Sequence, residues 1–399
     1  MEIPVYPRVA ESVADCMADS NRYTKIPMTR LLLRSESIVF FLALMIYGAT
    51  SFDQSPFNEQ VRQAFAFIHG HITIDAPQSF LEHAQVGGYS YALHPPLPAF
   101  LLMPFVAIWG MGTNQTMFSV LIGAINVMLT WMLLFRLNSK SRIWLTLFFG
   151  FGTIVWYETA VGTTWALPMT TAVMFELLTL IELFGEARPL WVGIFAALAA
   201  LARYEVALAA PIYAFMLWRK ERPILWMLPG FLAVGAIYAG LNEVRYGSLL
   251  DRGLWYIPNV TRVQFGWRYL PGNLYTLLFM APRMDDTFPY LHPVFTGQAL
   301  TLTSPAFVLA LRPSFKRFEV SMMGLAAAVV SIPMLFHFAN GAGQFGCRHW
   351  VPAFPFLLVM MAIGMPRRTD QLSKILICVS IFLVAFGVWQ IHVWGLNGP

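Results

Sequence analysis

Residues 115 to 142 read QTMFSVLIGAINVMLTWMLLFRLNSKSR. From Gln115 to Phe135 there is no charged residue, and at about 1.5 Å of rise per residue a helix of this run covers the roughly 30 Å hydrocarbon core of a bilayer. The run ends in Arg136, Lys140 and Arg142, a short basic turn of the kind retained on the cytoplasmic side. In lipid the backbone must satisfy its own hydrogen bonds, so a run of this length is read as a transmembrane helix.

Similar runs lie near 35–51, 143–158, 166–184, 189–202, 205–218, 223–242, 298–311, 319–338, 350–365 and 375–394. Together with the first they give about eleven spans. The two runs on either side of Ala202, Arg203, Tyr204 and Glu205 are counted separately, one kinked element being the alternative. The expected fold is all-α: a polytopic membrane protein of about 11 transmembrane helices, with interfacial helices in a large first extracytoplasmic loop.

Composition agrees. Of 399 residues 57% are hydrophobic and 12% are charged, too few charges to cover a soluble globule of this size. The net charge of +5 comes from Lys and Arg clustered between apolar runs rather than along one polar domain, which argues for membrane topology and against a nucleic-acid partner. Cys16, Cys347 and Cys378 form no metal-ligand spacing and no disulfide framework. The apolar run after Arg30 and Arg34 lacks a small-residue cleavage site, so it is read as an uncleaved first span behind a cytoplasmic tail, residues 1–34, with residues 35–399 forming one transmembrane domain.

With the amino terminus inside, five basic turns fall on the cytoplasmic side: Arg136 to Arg142, Arg188, Arg219 to Arg222, Arg312 to Arg317, and Arg367 to Lys374. The apolar stretch from Pro95 to Gly110 would reverse this pattern if it crossed. It is broken by Pro95, Pro96, Pro98 and Pro104 and is read as an interfacial helix. Two long outer loops result, 51–114 and 243–297. In the first, Phe57, Val61, Ala64, Phe65 and Ile68 recur at helical spacing among polar residues, predicting an amphipathic helix over 57–71 that lies along the membrane.

The candidate chemistry is on these loops. Asp53 follows the first span, where a carboxylate at the water–lipid boundary can act as a general base. Its alternative role, shared with Ser55 before Pro56, is a helix cap. Glu158, in the turn after the third span, is a second outer carboxylate. Arg203, Arg245, Arg252, Arg348 and His349 are outer cationic or basic groups, and arginine suits phosphate because its planar fork donates two parallel bonds; anionic lipid headgroups are the other ligand they fit. Trp109, Trp156, Trp165, Trp255 and Trp350 are read as an interfacial belt. His69, His71, Glu82, His83 and His94 include metal-ligating residue types without a helical His pair or a Cys partner. Asn114-Gln115-Thr116 and Asn259-Val260-Thr261 match the glycosylation sequon by pattern. No phosphate-binding glycine loop, dinucleotide fingerprint or zinc-protease helix is present.

Several segments in order resemble the GT-C superfamily of membrane glycosyltransferases, near the bacterial protein O-mannosyltransferases and aminoarabinose transferases. They are Phe52-Asp53-Gln54, Phe67-Ile68-His69-Gly70, Gly87-Gly88-Tyr89-Ser90-Tyr91, His94-Pro95-Pro96-Leu97-Pro98, Ala199-Ala200-Leu201-Ala202-Arg203-Tyr204, Arg245-Tyr246-Gly247-Ser248, and Gln344-Phe345-Gly346-Cys347-Arg348-His349 followed by Pro352 and Pro355. The resemblance implies an inverting transferase in a bacterial inner membrane, moving a sugar from a polyprenyl-phosphate donor to a glycan, lipid or protein acceptor hydroxyl on the outer face. It implies Asp53 as base, Glu158 as a second acidic residue, and Arg203, Arg348, His349 and Arg245 at the donor phosphate. Whether a divalent metal takes part is left open. Two other classes compete: an inactive accessory subunit of a membrane assembly, and a lipid or sugar transporter. Few charges lie inside the spans, chiefly Glu176 and Glu182, and no inverted repeat stands out, which disfavours transport.

Overall fold

The computed structural model describes residues 35–51, 53–75, 83–256, 264–286, 288–338, 341, 343–365 and 369–394. The expected tail 1–34, Phe52, Glu82, the sequon at Asn259, and Arg367 and Arg368 lie outside them.

The fold is mostly helical. Its elements are α1 (Ser35–Ala49), α2 (Glu59–Ile68), a hairpin of β1 (His83–Val86) and β2 (Tyr89–Ala92), α3 (Leu97–Trp109), α4 (Gln115–Arg136), α5 (Arg142–Phe151), α6 (Val155–Val161), α7 (Ala166–Phe184), α8 (Pro189–Ala202), α9 (Ala210–Arg219) and α10 (Leu228–Tyr246). They continue with α11 (Leu270–Phe279), the two-residue strands β3 (Arg283–Met284) and β4 (Leu291–His292), α12 (Leu300–Thr303), α13 (Phe318–Phe336), α14 (Phe354–Gly364) and α15 (Gln371–Trp394). Among the described residues, five helices are long and apolar enough to cross a membrane: α4, α7, Ile224–Tyr246, α13 and the Gln371–Gln390 part of α15. Shorter apolar helices accompany them at Ser35–Ala49, Leu97–Gly112, Arg142–Phe151, Pro189–Ala202 and Arg348–Gly364.

Five expected spans depart from a continuous α-helix, two of them, 223–242 and 350–365, only by opening as 3-10 helices, Ile224–Met227 and Arg348–Ala353. The run 143–158 is divided between α5 and α6 at Gly152, Thr153 and Ile154. The run 205–218 opens as a 3-10 helix, Tyr204–Ala209, before α9 begins. The run 298–311 consists of the single turn α12 and a 3-10 helix from Pro305; Pro305 has no N–H to continue the ladder.

Helix α7 is the centre of the bundle, 94% buried along its apolar window, whereas Ile224–Tyr246 is 11% buried and forms its periphery. A buried apolar helix tolerates polar side chains that bond to their own backbone: Thr170 and Thr179 donate to the carbonyls of Leu167 and Phe175. Asn126 on α4 donates to the Thr170 carbonyl, 2.8 Å, and the Tyr47 hydroxyl joins α1 to the Gly150 carbonyl of α5, 2.5 Å. Helices α8 and α10 approach through backbone: a Cβ on Gly193 would lie 2.3 Å from the Met227 carbonyl oxygen, and one on Gly230 2.7 Å from Ile194 N.

The basic turns gather at one end and are tied into a ring. Arg136 packs toward Gly185, Lys220 donates to Leu183 O and Arg222 to Glu186 O, and Arg188 grips Glu182 through two nitrogens. Arg219 stacks over Phe318, 5.0 Å, Arg312 pairs with Asp370 at 2.6 Å, and Thr369 closes the ring on Ser141. The opposite end carries α2, the β1–β2 hairpin and α3. There Asn114 caps α4 by accepting from Met117 N while its amide donates to Asp53 O, so the first sequon is a helix cap. Gln115 donates to the carbonyls of Phe57 and Gly162.

Candidate functional site

The site begins with a tight hairpin. Gly87 and Gly88 have φ of +58° and +84°, the left-handed values that a two-residue primed turn requires and that glycine adopts without strain. The register pairs His83 with Ala92, so His83 stands at the open end of the hairpin and His94 follows two residues after its partner strand. Both imidazoles reach Glu59, the first residue of α2. His83 Nε2 lies 3.4 Å from Glu59 Oε1 and His94 Nε2 lies 3.3 Å from Oε2. Glu59 is 1% exposed, and neither of its oxygens has a hydrogen bond of good geometry.

The backbone fixes this carboxylate. Glu59 N–H donates to Thr164 Oγ1, 2.9 Å, and Thr164 N–H donates to Phe57 O, 2.9 Å. The next residue, Trp165, collects the remaining groups. Its ring lies 5.1 Å from Phe57 and 6.4 Å, edge to face, from His94, and the Arg348 guanidinium sits 5.5 Å from its centroid. Arg348 and Glu158, both buried, interact electrostatically, and Glu158 Oε1 has no hydrogen-bond partner. His349 is within electrostatic reach of Arg203, Arg348 and His337, while Arg203 forms a 2.6 Å ion pair with Glu205. One end of the bundle thus joins a carboxylate between two imidazoles, an indole face, and a group of cations beside a second carboxylate.

Of the residues read from sequence, Glu158, Arg203, Arg348 and His349 come together here. Arg245 lies in a neighbouring cluster with Tyr246 and Tyr204. Asp53 is exposed, and its carbonyl accepts from Asn114; it caps no helix, since α2 starts later, after Asn58. The amphipathic helix is shorter than 57–71 and is oriented differently from the expectation. Glu59, Gln60 and Gln63 are buried, and the amide heads of both glutamines are without hydrogen-bond partners, because the polar face of α2 turns into the protein. Glu59 was legible only as one polar residue of that helix. The Gly87-Gly88 pair between Ala84-Gln85-Val86 and Tyr89-Ser90-Tyr91 is the signal that could have placed His83 next to the His94 segment.

His69 and His71 bond to nearby backbone carbonyls, Phe65 O and Thr73 O. Among the described residues no group of three or more His, Cys, Asp or Glu side chains is arranged to hold a metal ion. No family model, curated protein or solved structure matches the chain.

Proposed function

We propose that this chain is an integral membrane glycosyltransferase that moves a sugar from a polyprenyl-phosphate donor to an acceptor hydroxyl, with inversion. The observation that carries the reading is Glu59, a buried carboxylate held between His83 and His94 and connected through Trp165 to Arg348. Transfer needs a base at the acceptor and compensation of charge on the departing phosphate. In this reading Glu59 takes the acceptor's proton as the new carbon–oxygen bond forms. The bond from the anomeric carbon to the phosphate oxygen breaks, and its electron pair stays on the phosphate. Arg348 and Arg203 accept that charge, His349 adds a hydrogen bond beside them, and Glu158 balances Arg348 between turnovers. His83 and His94 orient Glu59 and receive its proton afterwards. Asp53, exposed at the rim, is the alternative base for an acceptor arriving from water.

In this reading the chain belongs to a bacterial inner membrane and crosses it about eleven times, the short and broken helices being among the crossings. The ring of basic turns faces the cytoplasm and α2, the hairpin and α3 face outward. The one-sided gathering of the basic turns supports this orientation. The acceptor is a glycan, a lipid or a protein, recognised by the outer loops or by another membrane subunit.

The test is release of polyprenyl phosphate from polyprenyl-phosphate mannose or glucose by the purified chain in nanodiscs, with envelope extract supplying acceptors. Glu59→Gln is expected to lower turnover at least about a hundredfold with an unchanged melting temperature. Full loss in Asp53→Asn with Glu59→Gln active would move the base to Asp53. Turnover indifferent to both variants, or no donor consumption at all, would favour an accessory role.

A further inference from the structure

Helix α10 is the most exposed long helix, and its buried residues are Gly230, Asn242, Arg245 and Tyr246. Three of these four fall in its last turn and a half, at the end facing the β1–β2 hairpin. Asn242 and Arg245 are three residues apart and share a helix face. Asn242 is 1% exposed and Arg245 3%. Both polar atoms of the Asn242 amide, and Nε and Nη2 of Arg245, have no hydrogen-bond partner.

A buried guanidinium needs a counter-charge, and a buried amide needs partners of both kinds. Among the described residues no group bonds to the Asn242 amide or to Nε and Nη2 of Arg245. Tyr246 bonds to Arg245 through its hydroxyl and packs with Tyr91 of β2, and Tyr204 lies in electrostatic reach. Asp251, the acid within electrostatic reach of Tyr246 and Tyr204, is engaged elsewhere: its Oδ1 accepts from Gly253 N–H and its Oδ2 from the Tyr238 hydroxyl. No carboxylate forms an ion pair with Arg245 among the described residues.

We propose that Asn242 and Arg245 form an anion site, separate from the Trp165–Arg348 centre, that takes a phosphate ester carrying a free hydroxyl. The guanidinium fork meets two phosphate oxygens through Nε and Nη2. Asn242 Nδ2 donates to a further oxygen of the ester, unesterified in a monoester and bridging in a diester, and its Oδ1 accepts the ligand's hydroxyl. That chemistry is found in a glycerophospholipid headgroup and in a soluble polyol phosphate alike. The site requires no catalysis and does not depend on the transferase reading.

The full chain in a neutral maltoside detergent is melted in two arms. One is titrated with glycerol 3-phosphate against sodium chloride at equal ionic strength, and the other with phosphatidylglycerol against diacylglycerol. A saturable rise in melting temperature is expected in at least one arm; a response to the lipid alone assigns the headgroup, and a response to the soluble ester assigns a ligand from water. Arg245→Gln should be at least as stable as wild type without ligand, since it removes an unpaired buried charge, and should weaken the response at least about thirtyfold. Asn242→Leu, which changes no charge, should weaken it as well and carries the test if Arg245→Gln does not fold. Absence of a saturable shift in both arms, or a wild-type response in Asn242→Leu, would overturn the site.

Discussion

The Arg348 guanidinium lies over the Trp165 indole, 5.5 Å from its centroid. The same ring touches Phe57 and His94, so one side chain holds the cationic half of the site against the imidazole half. A cation–π contact contributes roughly 0.5–2 kcal/mol, more where water is excluded.

Trp165→Leu removes the π face while keeping an apolar side chain. Donor turnover is expected to fall about tenfold or more, and Trp165→Phe, which keeps a smaller face, should lose less. Turnover measured beside melting temperature decides the matter: equal losses in both variants would mean that the ring is only filler.

Gly193→Ala places a methyl 2.3 Å from the Met227 carbonyl oxygen, where backbone cannot yield cheaply, whereas a Cβ on Gly235 meets nothing within 4 Å. The first substitution should cost about 1–3 kcal/mol of stability, and Gly235→Ala should stay within about 0.5 kcal/mol of wild type. Unfolding midpoints of the two proteins in one detergent provide the comparison.

Burial pushes the Lys220 ammonium down to about 8, with Glu319 drawing it up and Arg222 pressing it further down. In the unfolded chain lysine titrates near 10.4, roughly. Between those values the unfolded state binds more protons than the folded state, so stability rises as pH climbs from about 8 toward 10.4. The contribution is unfavourable below that window, where the buried amine stays charged. Lys220→Met should flatten the rise in a pH series of melting curves, and parallel slopes in the two proteins would refute the assignment.

Orientation is tested by impermeant thiol labelling in a background lacking Cys16, Cys347 and Cys378. A cysteine replacing Asp286 should label from outside intact cells, and one replacing Lys140 only after permeabilisation. The reverse pattern would put the Glu59 and Trp165 centre on the cytoplasmic side.

Much of the helical frame was legible because uninterrupted apolar runs define it. The readings 166–184 and 189–202 coincide with α7 and α8, and 115–135 falls one residue short of α4. The breaks at Gly152 and Pro305 were not, since an apolar run does not reveal where its backbone leaves the helix. In the site, outer charge near span ends pointed to Glu158, Arg203, Arg348 and His349. Glu59 escaped because periodicity separates the two faces of α2 but cannot tell whether the polar face meets water or protein. Trp165 escaped for a similar reason, an indole beside a span being the ordinary occupant of an interface.

The ring of basic turns has a mechanical meaning. A bouquet bound at its stems can spread only at the blooms, and the displacement grows with distance from the binding. If the proposed function holds, room for a bulky lipid-linked donor is expected from splaying at the end where Glu59 and Arg348 lie, with α10, the least embedded stave at 11% buried, leaning furthest. Staples placed across the basic turns would leave that breathing intact, whereas one joining α2 to the α6–α7 corner would arrest it.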